Sequence, residues 1–290
     1  MRRFTKSQTR RYTRSRAGNI LLFLLLLAAG LFTILPMIYS VVTSFKPLEE
    51  LKLFPPTLLT VKRPTLANYA ALPTLLTSLS VPLSRYIFNS VFVAVVTVVL
   101  HIFIASMASF VMAKTDLKGR HILYWVVQFA LLYNAYTLAI PQYLIFTKMG
   151  IIDTLWVYIL PYLPSTLGVF LMKQYMDDSV PVALLEAARI DGAGYFSIYF
   201  RIVMPLIKPA WLTLLLFAFR DMWSLQPTGT IFSEEMKTLP YVLSQVVSGG
   251  LARAGSAMAA TVLMMIPPII VYLISQSNVM ETMSSAGIKD

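Results

Sequence analysis

The chain contains no cysteine among its 290 residues. Disulfides, thiolate metal sites and cysteine nucleophiles are therefore excluded. It also lacks a glycine-rich phosphate loop ending in Gly-Lys-Ser/Thr, a histidine pair at metal-ligand spacing, and a Ser/His/Asp set within a soluble domain. Because nothing in it resembles an enzyme, we expect neither catalytic residues nor a bound metal.

Charged residues make up only 13% of the chain, and acidic residues are the scarcer kind, with 13 Asp and Glu against 24 Lys and Arg. With 57% hydrophobic residues and a mean hydropathy of +0.71, this composition excludes an ordinary soluble domain and indicates a polytopic membrane protein. Seven basic residues and no acidic ones lie between Arg2 and Arg16, before an apolar run. We interpret residues 1–18 as a cytoplasmic tail on anionic membrane lipid, with no nucleic-acid partner.

Apolar runs of roughly the 20 residues that a bilayer core requires predict about six transmembrane helices. The run after the basic tail is too long for a signal-peptide core and lacks a small-residue cleavage site, so we expect it to be retained. Basic residues gather in the loops near Lys118 and Arg189, which places both termini in the cytoplasm. The predicted spans are 19–44, 87–113, 122–146, 154–175, 204–224 and 256–276.

The domain prediction follows from these spans. We expect one transmembrane domain over 19–277, outer loops at 46–84 and 226–255, and a cytoplasmic tail over 278–290. No internal repeat is visible, which disfavours an inverted-repeat secondary transporter made of this chain alone.

Prolines are predicted to interrupt most spans. Broken helices at membrane depth are tolerated where the freed backbone groups face a cavity or a neighbour, which favours a transport protein, although simple packing kinks explain them equally well. The prolines concerned are Pro36, Pro141, Pro161, Pro164, Pro267 and Pro268.

Polar groups within the spans are the candidates for a substrate path, since such groups are costly in lipid. Counting about 1.5 Å per residue from Pro205 places Arg220 and Asp221 more than roughly 20 Å up a core of about 30 Å. The pair either meets an aqueous cavity, partner or substrate, or extends outward to the interface.

The third span carries a second polar set, which combines aromatic rings and amides. This combination suits sugar rings, although hydrogen bonds between helices explain it equally well. The set is Tyr133, Tyr136, Gln128, Asn134 and Gln142. His101, in the second span, is predicted to be a packed and satisfied histidine rather than a proton relay, because no carboxylate shares its span.

A polar, small-residue stretch, Glu186-Ala187-Ala188-Arg189-Ile190-Asp191-Gly192-Ala193, separates two apolar runs. We predict helix, tight turn, helix: Ser179 or Asp178 caps a helix with Pro181 in its first turn, Gly192 ends it, and Asp191 caps the next. Its shallow surface permits close approach of another backbone. The Glu186 segment, residues 179–203, is thus predicted to dock a partner on the cytoplasmic side, with an interfacial amphipathic helix as the alternative.

The same residues carry a family resemblance. The stretch from Glu186 to Ala193, followed by Phe196, Ile202, Pro205, Leu206 and Pro209, closely resembles the EAA signature of ABC importer permeases. Flanking features are similar to those of the carbohydrate-uptake branch, which includes MalG-like subunits: Asn89-Ser90 opens the second span, Pro141 lies in the third, and Ala286-Gly287-Ile288-Lys289 ends the chain. The resemblance extends from about Leu21 onward.

The resemblance implies an all-α membrane protein with the six-helix fold of type I ABC importer permeases, in a bacterial cell membrane. It implies a carbohydrate substrate, with an oligosaccharide favoured, and no cofactor in this chain, because ATP and Mg are bound by a partner ATPase dimer. A second permease subunit and an external solute-binding protein complete the expected assembly. In that family, the segment containing Glu186, Ala187, Ala188, Arg189, Asp191, Gly192 and Ala193 couples the permease to the ATPase.

Two alternatives stay open: an ABC permease for a polyol, glycerol phosphate or peptide, and a channel or transporter that works without an ATPase. The sequence also departs from the family after Phe219, where many relatives carry Trp-Asn or asparagine-rich residues. At this position Arg220 could bind the carboxylate of an acidic saccharide, or could pair with its neighbour Asp221. The candidate substrate-path residues are Arg220, Asp221, Trp223, Asn134, Tyr136 and Gln142.

Overall fold

A computed structural model describes residues 16–55, 57–77, 81–132, 135–226, 229–247, 250 and 253–287. Within these ranges the chain is helical and contains no strand. The α-helices are α1 Arg16–Ser44, α2 Leu48–Leu51, α3 Ala67–Thr77, α4 Leu83–Lys114, α5 Arg120–Leu131, α6 Ala139–Met149, α7 Trp156–Ile159, α8 Thr166–Ser179, α9 Val182–Ile190, α10 Tyr195–Ile198, α11 Met204–Leu206, α12 Lys208–Ser224, α13 Leu239–Val247 and α14 Ala254–Gly287. Short 3-10 turns span Ala135–Leu138, Leu160–Tyr162 and Glu234–Met236, and a π-helical turn spans Tyr199–Val203.

Three of the described helices are long and apolar enough to cross a membrane. They are Ala17–Ser44, Leu83–Lys114 and Ala254–Gln276, which match the first, second and sixth predicted spans. The count rises to four candidate spans if the pair Tyr195–Leu206 and Lys208–Ser224 is taken as one span, although the chain bends by 79° between the two helices. The all-helical prediction is confirmed for the described ranges, whereas the count of six spans stays a prediction.

The third and fourth predicted spans are not continuous helices. The 122–146 run is divided between α5 and α6, and the 154–175 run between α7 and α8. In the fourth run, Pro161 lies in a 3-10 turn and Pro164 precedes the Ser165 cap of α8. Because proline has no backbone N–H to donate, two prolines this close favour ending one helix and starting another.

In the first and sixth spans the prolines do not break the helix, which agrees with the alternative of simple packing kinks. Pro36 lies inside α1, and Pro267 and Pro268 lie inside α14, without ending either helix. Pro141 lies in the first turn of α6, where the N–H that it lacks would have no partner within the helix. A proline inside a membrane helix removes one backbone hydrogen bond but does not force a break.

Helix α4 is the centre of the bundle, with α8 and α12 packed along it and α14 packed on α12. Four hydrophobic clusters run from one end of the bundle to the other. One contains Val98, Ala105, Met172, Leu214 and Ala218, contributed by α4, α8 and α12. Small residues at these crossings bring the helices close: the Ser109 hydroxyl donates to the Val169 carbonyl oxygen at 3.0 Å. The scaffold holds the Glu186 segment at one end and the 229–239 loop at the other.

Candidate functional site

The first helix of the Glu186 segment is α9, Val182–Ile190, and its start differs from the prediction. Pro181 is the residue before the helix rather than part of its first turn, and no side chain caps this end. Asp178 and Ser179 instead form the end of α8. Because α8 continues to Ser179, only Val180 and Pro181 separate it from α9, and the turn between the two helices is correspondingly tight.

The end of α9 agrees with the predicted stop at Gly192, which adopts φ = +80°. Its N–H donates to the Arg189 carbonyl at 3.0 Å, and the Ala193 N–H donates to the Ala188 carbonyl at 2.9 Å. These two bonds form a Schellman motif, which favours glycine at the left-handed position. The predicted capping by Asp191 was wrong: the next helix, α10, begins after Gly194, and the described residues give the Asp191 carboxylate no hydrogen bond.

One side of α9 is fixed to the bundle. Leu185 is 4% exposed and packs in a cluster with Met176, Ile198 and Val203. The Lys114 ammonium, at the end of α4, donates to the Val180 carbonyl at 2.8 Å, in the turn before α9. A displacement of α9 therefore acts directly on α4 and α8, which form the bundle's centre.

The other side of α9 is exposed and partly apolar. Ile190 is 86% and Phe196 is 70% exposed, while Glu186 and Ala187 also face outward. Ala188 and Ala193 are half-buried against the cluster beneath them, and the Arg189 guanidinium lies over the Tyr195 ring at 5.1 Å. Exposed apolar side chains beside a free carboxylate are typical of a surface that binds a partner.

Asp221 and Arg220, near the end of α12, do not pair with each other. The Tyr162 hydroxyl donates to the Asp221 carboxylate at 2.5 Å, and within the described part of the chain Arg220 forms no salt bridge. Because the helix bends by 79° before Lys208, the distance to Arg220 along the helix axis is counted from Lys208 rather than from Pro205. Counted from Lys208 at about 1.5 Å per residue, Arg220 lies about 18 Å along α12. The depth of Arg220 in the membrane stays a prediction.

Trp223 fastens α12 to α14 rather than standing free. Its indole N–H donates to the Met264 carbonyl at 2.9 Å, and its ring stacks on Phe219 with centroids 5.8 Å apart. A contact between Trp223 and a substrate would therefore be made by a ring whose polar atom is already occupied.

Gln142 lines an open cleft of about 660 Å³ between α6, the Leu160–Tyr162 turn and the chain after α12. Hydroxyls and amides are spread over its largely apolar wall, contributed by Gln142, Tyr143, Tyr158, Tyr162, Gln226 and Thr230. Asn134 lies outside the described residues, and so does the side chain of Tyr136. Tyr162 connects the cleft to Asp221, and no sequence signal links these two residues, which are 59 positions apart.

His101 is a packed, satisfied histidine, as predicted. Its Nδ1 lies 2.6 Å from the Tyr162 carbonyl oxygen and its Nε2 lies 2.8 Å from the Ser165 hydroxyl. Ser165 in turn accepts a bond from the Gly168 N–H at the start of α8. His101 thus joins α4 to the turn between α7 and α8, an arrangement that the sequence did not reveal.

Similarity to known proteins agrees with this geometry. The arabino-oligosaccharide transport system permease protein AraQ of Bacillus subtilis is 31% identical over 207 residues, which are 71% of this chain and 73% of AraQ. The sulfoquinovosyl glycerol transport system permease protein SmoH of Agrobacterium fabrum is 30% identical over 269 residues, 91% of each chain. The inner membrane ABC transporter permease protein YcjP of Escherichia coli is 28% identical over 97% of this chain and 99% of its own. The chain belongs to the permease subunits of ABC sugar transport systems.

The fold of this permease is that of a solved relative. One chain of a bacterial ABC transporter involved in the import of the acidic polysaccharide alginate matches it with a TM-score of 0.76 and 22% identity, over 91% of this chain and 98% of the other. No protein-family model matches the chain. As a permease subunit, the protein is a transport component of an ABC system.

At the end of the permease opposite α9, side chains hold the 229–239 loop. The Asn89 amide of α4 donates to the Glu235 and Lys237 carbonyls at 2.7 and 2.9 Å. Asp153 has φ = +61° and accepts from the N–H groups of Phe232 and Ser233 at 2.9 and 2.8 Å, and from the Ser233 hydroxyl. The loop is therefore presented in a defined shape, with Phe232 exposed at 64%.

Removing the Asp153 carboxylate is expected to loosen this loop. Partial burial raises the pKa of this carboxyl, but the hydrogen bonds from Ser233 and Phe232 outweigh it and hold the pKa below its ordinary value of 3.8. Because the pKa is lower in the folded state, the stabilisation is complete above that ordinary value and is lost as the pH falls through the folded one. At neutral pH, Asp153→Ala should increase protease cleavage near Phe232 about tenfold, as expected for loss of a charged hydrogen bond.

Asp153→Asn is the matched control, because asparagine tolerates positive φ and keeps one acceptor oxygen. Protease should cleave Asp153→Asn near Phe232 at a rate between those of the wild type and Asp153→Ala. Equal cleavage in the wild type and Asp153→Ala would show that the carboxylate does not hold the loop.

Proposed function

We propose that this permease moves a carbohydrate, with an oligosaccharide favoured, across a bacterial cell membrane along a path shared with a second, homologous permease subunit. An external solute-binding protein delivers the substrate, and a partner ATPase dimer that binds ATP and Mg supplies the energy. The exposed face of α9 carries the coupling part of this proposal. The other side of α9 is anchored to the bundle through Leu185 and Lys114, and no residue in the described part of the chain covers the exposed face.

The contacts of α9 support a coupling role. The ATPase would receive Glu186, Ala187 and Arg189, which are exposed, while half-buried Ala188 and Ala193 keep the helix close to the bundle. The tight turn at Asp191 and Gly192 leads into α10, the π-helical turn and then α12. Motion at α9 would thus reach α12, whose far end carries Arg220 and Asp221, by a short and packed route.

The substrate class is supported by the names of the relatives. They include permeases for arabino-oligosaccharides, for polygalacturonan and rhamnogalacturonan, and for diacetylchitobiose. The cleft beside α6 suits such ligands, since its tyrosine rings and amides offer apolar faces and hydrogen bonds together. We propose the 226–255 loop as the leading contact for the solute-binding protein, because the hydrogen bonds from Phe232 and Ser233 to Asp153 give part of this loop a defined shape.

Substrate-stimulated ATP hydrolysis in nanodiscs tests this function. The permease is assembled with its second permease, ATPase and solute-binding protein, and neutral and acidic oligosaccharides are offered in turn. We expect one sugar class to raise hydrolysis severalfold above the basal rate, and only when the solute-binding protein is present.

Stimulation by a polyol, glycerol phosphate or peptide alone would replace the carbohydrate assignment and leave the coupling proposal intact. Failure to copurify with any ATPase, combined with substrate uptake without ATP, would contradict the coupling proposal and favour a transporter that works without an ATPase.

A further inference from the structure

The guanidinium of Arg220 has no salt-bridge or hydrogen-bond partner in the described part of this chain, although its charge acts on the nearby Tyr162 hydroxyl. It forms neither a salt bridge nor a side-chain hydrogen bond there, and it is exposed. The nearest acid in sequence, Asp221, is held by the Tyr162 hydroxyl at 2.5 Å. The pairing of Arg220 with Asp221 that the sequence left open is therefore not made, and the arginine's five donors form no side-chain hydrogen bond within the described residues.

The position of Arg220 on α12 shows which way it faces. Ala218 and Met222 are buried in the bundle, Trp223 is bonded to α14, and Asp221 is bonded to Tyr162. At about 100° per residue, Arg220 projects from the remaining side of the helix, and so does exposed Ser224 one turn later. Arg220 is therefore exposed on α12, where its charge acts on the Tyr162 hydroxyl that holds Asp221.

A cation at this height needs a polar environment. In the span predicted from the sequence, Arg220 lies in the outer half of the membrane core, where an arginine facing lipid is costly. The surroundings that remove this cost are a water-filled path or an anionic partner. In the proposed assembly, the exposed side of α12 that carries Arg220 borders either the path or the second permease.

We propose that Arg220 binds a carboxylate of the translocated sugar, so that the substrate of this permease is an acidic, uronide-containing oligosaccharide. This inference rests on the proposed function. The planar guanidinium fork matches a carboxylate with two parallel hydrogen bonds, whereas a neutral sugar hydroxyl offers neither the charge nor this geometry. Tyr162 supports the arrangement, because its hydroxyl donates a hydrogen bond to the Asp221 carboxylate, and Asp221 forms no salt bridge with Arg220 within the described residues.

The test compares a galacturonate trisaccharide with the same trisaccharide after reduction of its carboxyl groups to primary alcohols. In the assembled nanodisc complex, the wild type should be stimulated by the acidic form and at least about tenfold less by the reduced form. Arg220→Gln should weaken the response to the acidic form at least about tenfold, with subunit copurification unchanged. Arg220→Lys keeps the charge but not the planar guanidinium fork, so its response to the acidic form should lie between those of the wild type and Arg220→Gln.

Arg63→Gln is the matched control, since Arg63 is another exposed arginine, distant in sequence, and it should leave the response unchanged. A wild-type complex that responds equally to both trisaccharides, or only to the reduced one, would overturn the inference while leaving the proposed function in place. An Arg220→Gln variant that loses the second permease on purification would also overturn it, by placing the guanidinium in the subunit interface. Failure of the wild-type complex to assemble with an ATPase would be a failure of the proposed function itself.

Discussion

Replacing Glu186 by lysine is expected to reduce substrate uptake by about two orders of magnitude or more while leaving the permease folded and inserted. Glu186 is exposed on α9 and has no ion pair within the described residues, so the bundle does not depend on it. In the proposed assembly, its carboxylate meets a charged or polar group on the ATPase. Reversing the charge at a close contact between proteins brings like charges together, which costs far more than loss of the contact alone.

The measurement is uptake in proteoliposomes beside ATP hydrolysis by the same preparation. Glu186→Lys should purify in normal amount, bind less ATPase and fail to convert substrate into increased hydrolysis. Asp116→Lys is the matched control, because Asp116 is an exposed acid in the predicted cytoplasmic loop after α4, outside the Glu186 segment. Uptake at the wild-type rate by Glu186→Lys would remove the coupling role of this helix.

Replacing Gly168 by alanine is expected to destabilise the bundle by about 2–4 kcal/mol, from overpacking together with loss of a helix cap. A Cβ at this position would lie 2.2 Å from the Ser165 hydroxyl and 2.7 Å from a methyl carbon of Leu214. Ser165 has little freedom to move, since it caps α8 and also bonds His101. The substitution therefore disturbs α8, its contact with α12 and the link to α4 together.

The check is thermal unfolding of the purified permease in one detergent, with Gly30→Ala as the control. Gly30 lies in α1, where an added Cβ would meet nothing within 4 Å, so the same substitution should be neutral or slightly stabilising there. Equal melting temperatures for the two variants would show that the close approach of α8 and α12 at Gly168 tolerates a methyl group.

The Glu186 segment shows what local sequence encodes well. A helix ended by glycine two positions after its last residue is a short-range pattern, and both the helix and its left-handed stop at Gly192 were predictable. The start of α9 was less predictable, because Asp178 and Ser179 are equally suited to ending one helix or capping the next. Packing of α8 against α4 decided in favour of the former.

The sequence by itself determined that this is an all-helical membrane protein, and its EAA-like stretch determined the family, because hydrophobic run length and a contiguous motif are properties of neighbouring residues. Tertiary structure alone decided which polar groups are occupied. Tyr162 with Asp221, and His101 with Ser165, join residues 59 and 64 positions apart. Such pairs form only when α4, α8 and α12 pack together, since hydrogen bonding depends on distances of about 3 Å that no sequence spacing fixes. For the same reason, only the folded chain showed Asp221 hydrogen-bonded by Tyr162 and the Arg220 guanidinium without a salt bridge among the described residues.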